Sequence, residues 1–264
     1  MEKYLKTAIQ AAIEAGAAIM QVYETPFDVE LKEDDSPLTQ ADKKANDVIN
    51  RYLETTPFPI ISEENKQTDY STRKDWDQCW IVDPLDGTKE FVKRNGEFTV
   101  NIALIKDEQT LLGVIYVPVS KTLYFTAADA KKAFKIQLTS DTMDIDTILT
   151  QANEIQPEDP SENSPLKIVG SRSHLNEDTK AFISEKEKRK AGVEIVSKGS
   201  SLKFCLVAEG DAHMYPRFAP TMEWDTAAGQ AICQAVGIQV IDQETGAPLK
   251  YNRENLLNPH FLVS

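Results

Sequence analysis

The hydrophobic positions of the chain change period several times, and each change marks an element. Leu5, Ile9, Ala12, Ile13, Gly16, Ala17 and Met20 recur at helical spacing, which predicts an amphipathic helix at the start. Ala41, Ala45, Val48, Ile49, Tyr52 and Leu53 predict a second helix, ended by Pro57 and Pro59. Pro59 to Ser62 and Trp80-Ile81-Val82 are short apolar runs of strand type. The first delivers Glu63 and Glu64 at its end, the second Asp83. Phe98 to Ile105 and Thr110 to Val117 are apolar and β-branched, and they flank the polar turn Lys106-Asp107-Glu108-Gln109, so a hairpin is expected. Thr122 to Thr126 adds a strand candidate.

From about Asp141 to Pro165 the chain turns polar, acidic and proline-bearing, as an excursion or linker between two halves would. Beyond it the elements alternate. Lys167 to Gly170, Val193 to Val196 and Ile238 to Ile241 have strand character, and His213 to Tyr215 is extended. Glu177 to Lys190, Leu202 to Glu209 and Thr226 to Val236 have helix character. There is no internal repeat. Helices and strands mixed throughout, with local antiparallel pairing in the first half, predict a layered α/β or α+β fold.

Charge narrows the function. The 264 residues carry a formal net charge of -13, and an acidic surface repels a polyanion. Bulk nucleic acid is therefore not the expected partner, and a small anion would need local cations or metal ions. The segment Met1 to Lys6 lacks the apolar core of a signal peptide, and no apolar run approaches the ~20 residues of a membrane span. Cys79, Cys205 and Cys233 are too few and too dispersed for a disulfide framework or a CxxC metal knuckle. The expected setting is a reducing cytoplasm.

The chemistry concentrates in Asp83-Pro84-Leu85-Asp86-Gly87-Thr88. Two carboxylates sit at the exit of an apolar strand, with Pro84 and Gly87 enforcing a tight turn. Such a turn aims both carboxylates and the Leu85 carbonyl at one point, and oxygen-only ligands suit a hard cation such as Mg²⁺. Gly87 and Thr88 would open a helix whose free N–H groups hold a phosphate. A surface β-turn uses the same residue types. Leu85 breaks the pattern of a calcium EF-hand loop. The DxDGT signature of the haloacid dehalogenase phosphatases has its aspartates two apart, whereas here they are three apart. Three other segments matter in combination. Ser62-Glu63-Glu64 ends a strand; taken singly, it is solvated loop charge. Pro37-Leu38-Thr39-Gln40-Ala41-Asp42 places Thr39 and Asp42 as a capping box, and Trp224-Asp225-Thr226-Ala227-Ala228-Gly229 places Asp225 as a helix N-cap.

In order and together, these segments resemble the inositol monophosphatase superfamily of magnesium-dependent, lithium-sensitive phosphatases, over nearly the whole chain. The resemblance implies a layered αβαβα sandwich. Residues 1–140 would form an α+β domain with most metal ligands, 141–165 the acidic linker, and 166–264 an α/β domain with the last ligand and the nucleotide contacts. It implies two or three Mg²⁺ per site and inhibition by Li⁺. Glu63 matches the acidic ligand of the first metal, Asp83 the bridging ligand and Leu85 the carbonyl ligand. Asp86 and Asp225 match ligands of the second metal. Gly87 and Thr88 match the backbone that holds the scissile phosphate, and Asp42 and Thr88 the pair that orients the attacking water. Four carboxylates, Glu63, Asp83, Asp86 and Asp225, would balance two divalent cations formally.

Within that superfamily, Ser171-Arg172-Ser173-His174, Gly199 to Cys205 and Tyr215-Pro216-Arg217 are similar to the 3'(2'),5'-bisphosphate nucleotidase branch, as are Lys89-Glu90-Phe91 and Lys93 to Thr99. There the residues matching Ser200, Lys203 and Arg217 meet the non-scissile phosphate and ribose, and the one matching His174 lies by the base. The same resemblance has Glu63, Leu85, Asp86, Gly87, Thr88 and Asp225 touching substrate. Read singly, Lys203 is a solvated helix residue, His174 a cap for the helix that follows, and Cys205 and Leu206 core. The implied partner is a small nucleotide bisphosphate, 3'-phosphoadenosine 5'-phosphate (PAP) or its 5'-phosphosulfate (PAPS). The implied role is PAP recycling in sulfur assimilation, in the cytoplasm or peripherally at the inner face of the cell membrane. An inositol phosphatase or fructose bisphosphatase, and a non-catalytic nucleotide or metal sensor, stay as alternatives. One departure stands out: Ala127 to Phe134 has no glycine where related chains carry a glycine-containing turn, and the acidic stretch to Pro165 is long.

Overall fold

The computed structural model describes residues 1–27, 29–31, 37–161, 163–170, 176–188 and 191–264. Helix α1 (Glu2–Tyr23) is joined to α2 (Gln40–Leu53) through the antiparallel strands β1 (Val29–Leu31) and β2 (Pro37–Thr39). Then follow β3 (Ile60–Ser62), the short α3 (Tyr70–Arg73), β4 (Gln78–Asp86), the short α4 (Thr88–Val92), β5 (Thr99–Lys106), β6 (Gln109–Val117), β7 (Thr122–Thr126) and β8 (Ala133–Gln137). The stretch that reads as a linker folds instead into α5 (Ile145–Gln151) and β9 (Asn153–Glu154). Strands β3 to β9 form one seven-stranded sheet in sequence order, with β3 parallel to β4 and every other pair antiparallel. Strand β8 and helix α5 leave no clear sequence signal because the turn 127–132 and the segment 139–144 are polar, and each element contributes few apolar residues.

The rest comprises β10 (Leu166–Gly170), α6 (Glu177–Lys186), β11 (Val193–Ser197), α7 (Leu202–Ala208), β12 (Tyr215–Arg217), α8 (Glu223–Ala235), β13 (Val240–Asp242) and β14 (Phe261–Val263). Strands β12, β14 and β13 make an antiparallel sheet, β10 and β11 a parallel pair, and a bridge from Ile168 to Met214 links the two. Helix α6 packs beyond them through Phe182 against Phe218.

Strands β3 to β7 of the large sheet are largely buried on both faces, so they read as continuous apolar runs rather than alternating ones. On one face Trp80, Val82, Ile102, Leu104 and Val114 pack against Ile9, Ile13 and Ile49 of α1 and α2. On the other, Ile81, Ala103, Ile105 and Ile115 pack against Phe204, Ala227, Ala228 and Ile232 of α7 and α8. The layers are therefore α1 and α2, the large sheet, α7 and α8, the small strands, and α6: an αβαβα sandwich. Close approach between layers depends on missing side chains. A Cβ on Gly113 of β6 would lie 2.5 Å from the Ala228 carbonyl, and one on Gly229 would lie 2.4 Å from the Phe204 ring. The small residues of Ala227-Ala228-Gly229 thus let α8 sit between the sheet and α7. Among the described residues, no helix is long and apolar enough to cross a membrane.

Candidate active site

Residues three apart on a regular strand point to opposite faces. Asp83 and Asp86 escape this because β4 is bulged: Asp83 pairs with Asn101 and Asp86 with Thr99, so three steps on β4 match two on β5. The extra residue brings both carboxylates to one side, and Pro84, with no N–H to donate, sits within the irregular stretch. The Leu85 amide donates to Asp83 Oδ1 at 3.0 Å. Gly87 then takes φ +94°, a left-handed conformation open to glycine at little cost, and α4 begins at Thr88.

Asp225 comes from the far half of the chain. It is the third residue of α8, not the N-cap: the helix begins at Glu223, and Asp225 accepts from the Met222 amide at 2.7 Å. The expected start was three residues late because Met222 carries no polar capping side chain. Carboxylate oxygens of Asp83, Asp86 and Asp225 lie within 4.8 Å of one another. Glu63 is half-buried at the end of β3, tied by its amide to the Val82 carbonyl at 3.2 Å. Its charge, with that of Asp86, raises both Asp83 and Asp225.

Burial first, and then the neighbouring carboxylates, push Asp83 well above the usual carboxylate range. Burial and the charge of Asp86 push Asp225 to about 7. Burial raises Asp86 against the opposing pull of Lys203. Carboxylates crowded this way repel one another unless protons or cations join them. All-oxygen donors in this number fit hard divalent cations, and Asp83, Asp86, Asp225, Glu63 and the Leu85 carbonyl are the residues present to hold them.

Asp42 serves two neighbours. Its Oδ2 accepts from the Thr39 amide at 2.8 Å and the Thr39 hydroxyl at 2.7 Å, so the capping box forms. Its Oδ1 accepts from the Thr88 hydroxyl at 3.2 Å. The cap and the hydrogen bond to Thr88 coexist because the two oxygens face different ways.

The cations stand opposite. Lys203 in α7 is buried, donates to the Ser200 carbonyl at 2.6 Å and lies 5.6 Å from the centre of the Tyr215 ring. Burial lowers it to about 8 while the charge of Asp86 pulls the other way, so it is not a solvated helix residue. Arg217 in β12 donates to the Pro220 carbonyl at 3.0 Å, and its buried Nε has no hydrogen-bond partner among the described residues. A cleft of about 430 Å³ joins the two ends, lined among others by Asp86, Gly87, Ser200, Lys203, Arg217 and Asp225. His174, with Ser171 to Ser173, lies outside the described residues. Cys205 is buried core, as expected, and Leu206 is half-buried against it.

Several contributors went unread in the sequence. Asn46 accepts from Ser62 at 2.8 Å and donates to Asn65 at 2.8 Å, which braces the loop carrying Glu63. Asn101 and the Ser201 amide both donate to Asp86 Oδ2, at 3.2 and 2.5 Å. The available signal was Thr99 and Asn101, polar alternate positions in an otherwise apolar strand.

With this geometry in view, the comparisons with known proteins agree. The model of the inositol monophosphatase family matches residues 1–260. The 3'(2'),5'-bisphosphate nucleotidase CysQ of Salmonella typhimurium is 45% identical over 265 residues, covering 98% of this chain and 99% of its own. The crystal structure of CysQ from Bacteroides thetaiotaomicron, described as a bacterial member of the same family, is 48% identical with a TM-score of 0.89, covering 100% of this chain and 97% of that one. The inositol monophosphatase of Anabaena, at 22% identity and a TM-score of 0.71 over 100% of this chain and 90% of its own, shares the fold. The chain belongs to the inositol monophosphatase family.

Proposed function

We propose that this protein is a 3'(2'),5'-bisphosphate nucleotidase that removes the 3'-phosphate of PAP to give AMP and phosphate, and acts likewise on PAPS to give adenosine 5'-phosphosulfate. The single observation that carries this is one cleft with an acidic cluster at one end and two cations, the buried Lys203 and the half-buried Arg217, at the other. A monophosphate occupies only the first end. A bisphosphate fills both, and its non-reacting phosphate supplies the partner that buried Arg217 Nε lacks. The near full-length likeness to proteins named as such nucleotidases supports the same conclusion. On this reading the protein recycles PAP during sulfur assimilation. Three buried free cysteines are consistent with a reducing cytoplasm.

Mg²⁺ at the cluster, two or three ions per site, would polarise the phosphoryl oxygens, lower the pKa of a water and stabilise the leaving alkoxide. The chain's own residues do the rest. Asp83, Asp86, Asp225 and Glu63 supply the negative charge that would retain the cations, and the Leu85 carbonyl, which accepts from the Thr88 hydroxyl at 3.3 Å, is assigned as a further ligand. Thr88 donates to Asp42, so a lone pair of its oxygen is available to accept a hydrogen bond from the attacking water and orient it. Gly87, without a side chain, lets the phosphate approach the backbone. Ser200, Lys203 and Arg217 hold the second phosphate and the ribose, and His174 is assigned to the base.

The test is phosphate release from PAP, PAPS, 3'-AMP, inositol monophosphate and fructose 1,6-bisphosphate, with Mg²⁺ and without it. Mg²⁺-dependent preference for PAP or PAPS is expected. Preference for the inositol or fructose ester places the protein in another branch of the family. No turnover of any substrate, with tight nucleotide binding, makes it a sensor.

A further inference from the structure

The hydrogen bonds around Asp86 run in one direction. The Ser201 hydroxyl has a single proton, and Asn101 Oδ1, 2.7 Å away, can only accept it. The Thr99 hydroxyl, 2.8 Å from Ser201 Oγ, must therefore be the donor to Ser201. This orients the Asn101 amide so that its Nδ2 points at Asp86 Oδ2, the oxygen that also accepts from the Ser201 amide. Every donor in the buried chain leads to that one oxygen, and such chains reinforce their members. Asp86 Oδ1 receives no hydrogen bond among the described residues and is left for the cluster.

The loop that supplies Ser201 also builds the opposite end of the cleft. Ser200 sits at φ +47°, in the left-handed region that favours glycine. Its neighbours are tied to the other half of the chain on both sides: the Gly199 amide donates to Glu97 Oε2 at 2.9 Å, and the Ser201 amide to Asp86. A Cβ on Gly199 would lie 2.7 Å from Glu90 Cγ, so only glycine allows this docking. Between the two ties, the Ser200 carbonyl accepts from Lys203. Three consecutive residues thus touch both the acidic cluster and the cationic end.

We propose that Asn101 and Ser201 are positioning residues that couple the two ends of the cleft. They fix Asp86 through the loop bearing the distal contacts, so a second anion on the substrate raises kcat as well as lowering KM. This rests on the nucleotidase function proposed above. Binding energy from a remote group is then used to align the reacting end.

The experiment compares Asn101→Ala and Ser201→Ala with the parent on PAP and 3'-AMP, and measures Mg²⁺ binding to each metal-free protein by calorimetry. The parent should show a higher kcat on PAP than on 3'-AMP. In both variants kcat on PAP should fall about tenfold toward the 3'-AMP value, with KM for PAP nearly unchanged, and Mg²⁺ affinity should weaken about tenfold. Should Ser201→Ala fail to fold by thermal melt, Asn101→Ser carries the test. Its hydroxyl still meets Ser201 but is too short to span to Asp86. Equal losses on both substrates overturn the coupling, as does a change in KM alone or unaltered Mg²⁺ affinity. A parent that releases no phosphate from PAP overturns the nucleotidase function instead, which keeps the two failures distinguishable.

Discussion

The two ends of the cleft are built in opposite ways. At the acidic end Asp83, Leu85, Asp86, Gly87 and Thr88 fall within six consecutive residues, and one bulge plus one left-handed glycine aims them. At the cationic end Ser200, Lys203 and Arg217 come from a loop, a short helix and a three-residue strand. Like charges held close repel, so the acidic end needs a stiff frame, which the central strands supply. The cations are desolvated one at a time on smaller elements, and Lys203 shows the cost in its lowered proton affinity. On the proposed function, the reacting phosphate sits at the first end and the phosphate that distinguishes a bisphosphate at the second.

The largest expected effect breaks the first end alone. Asp83→Asn should lower kcat by roughly three orders of magnitude, the scale on which removing a preorganised transition-state contact acts. The metal-free variant should melt no lower than the parent, because one of three mutually repelling buried carboxylates is gone. Activity within tenfold of the parent at saturating Mg²⁺ contradicts this assignment of roles.

Lys203→Ala combined with Arg217→Ala addresses the second end. Each charge-assisted contact contributes roughly 1.5–3 kcal/mol. The double variant should lose about a hundredfold or more in kcat/KM for PAP and change little on 3'-AMP. Equal losses on both substrates would mean that the two residues support the fold or the acidic end.

A pH profile sharpens the contrast. Burial moves Lys203 down to about 8, and only its protonated form pairs with phosphate. Below that pH it is charged and PAP is preferred. As pH rises through about 8, kcat/KM for PAP should fall, by up to about tenfold per pH unit. The limb should be missing for 3'-AMP and in Lys203→Ala. Observing the same limb for both substrates would locate the titrating group at the acidic end.

Lithium gives the smallest contrast. It is close to Mg²⁺ in size with half the charge, so it should inhibit PAP hydrolysis severalfold where sodium does not. Equal sensitivity to the two ions would mean that lithium finds no site in the acidic cluster.

Legibility in the sequence followed the same divide. Asp83 to Thr88 could be picked out because strand, turn and helix start are contiguous, and the turn residues are those its geometry demands. The two long N-terminal helices and the apolar strands of the large sheet were equally plain, since each buries a periodic or continuous apolar run. Lys203 and Arg217 carried no local mark and were reached only through resemblance. Helix α5 and strands β8 and β9 were missed because each borrows its burial from neighbours rather than from its own pattern. Asn101 stood in view as a polar residue in an apolar strand, but its partner Ser201 lies a hundred residues away.

By itself the sequence determined the layered fold class and the acidic motif, because these show in apolar runs and in residues close together in the chain; the expected turn between Asp83 and Asp86 is a bulge in β4, set by its pairing with β5. Only the tertiary structure decided that Asp225 meets Asp83 and Asp86, that Lys203 is buried beside them, and that residues 199–201 join the two ends. These depend on where α7 and α8 settle on the large sheet. That placement is set by the close packing of Gly113 against Ala228 and of Gly229 against Phe204, contacts between positions far apart in the chain.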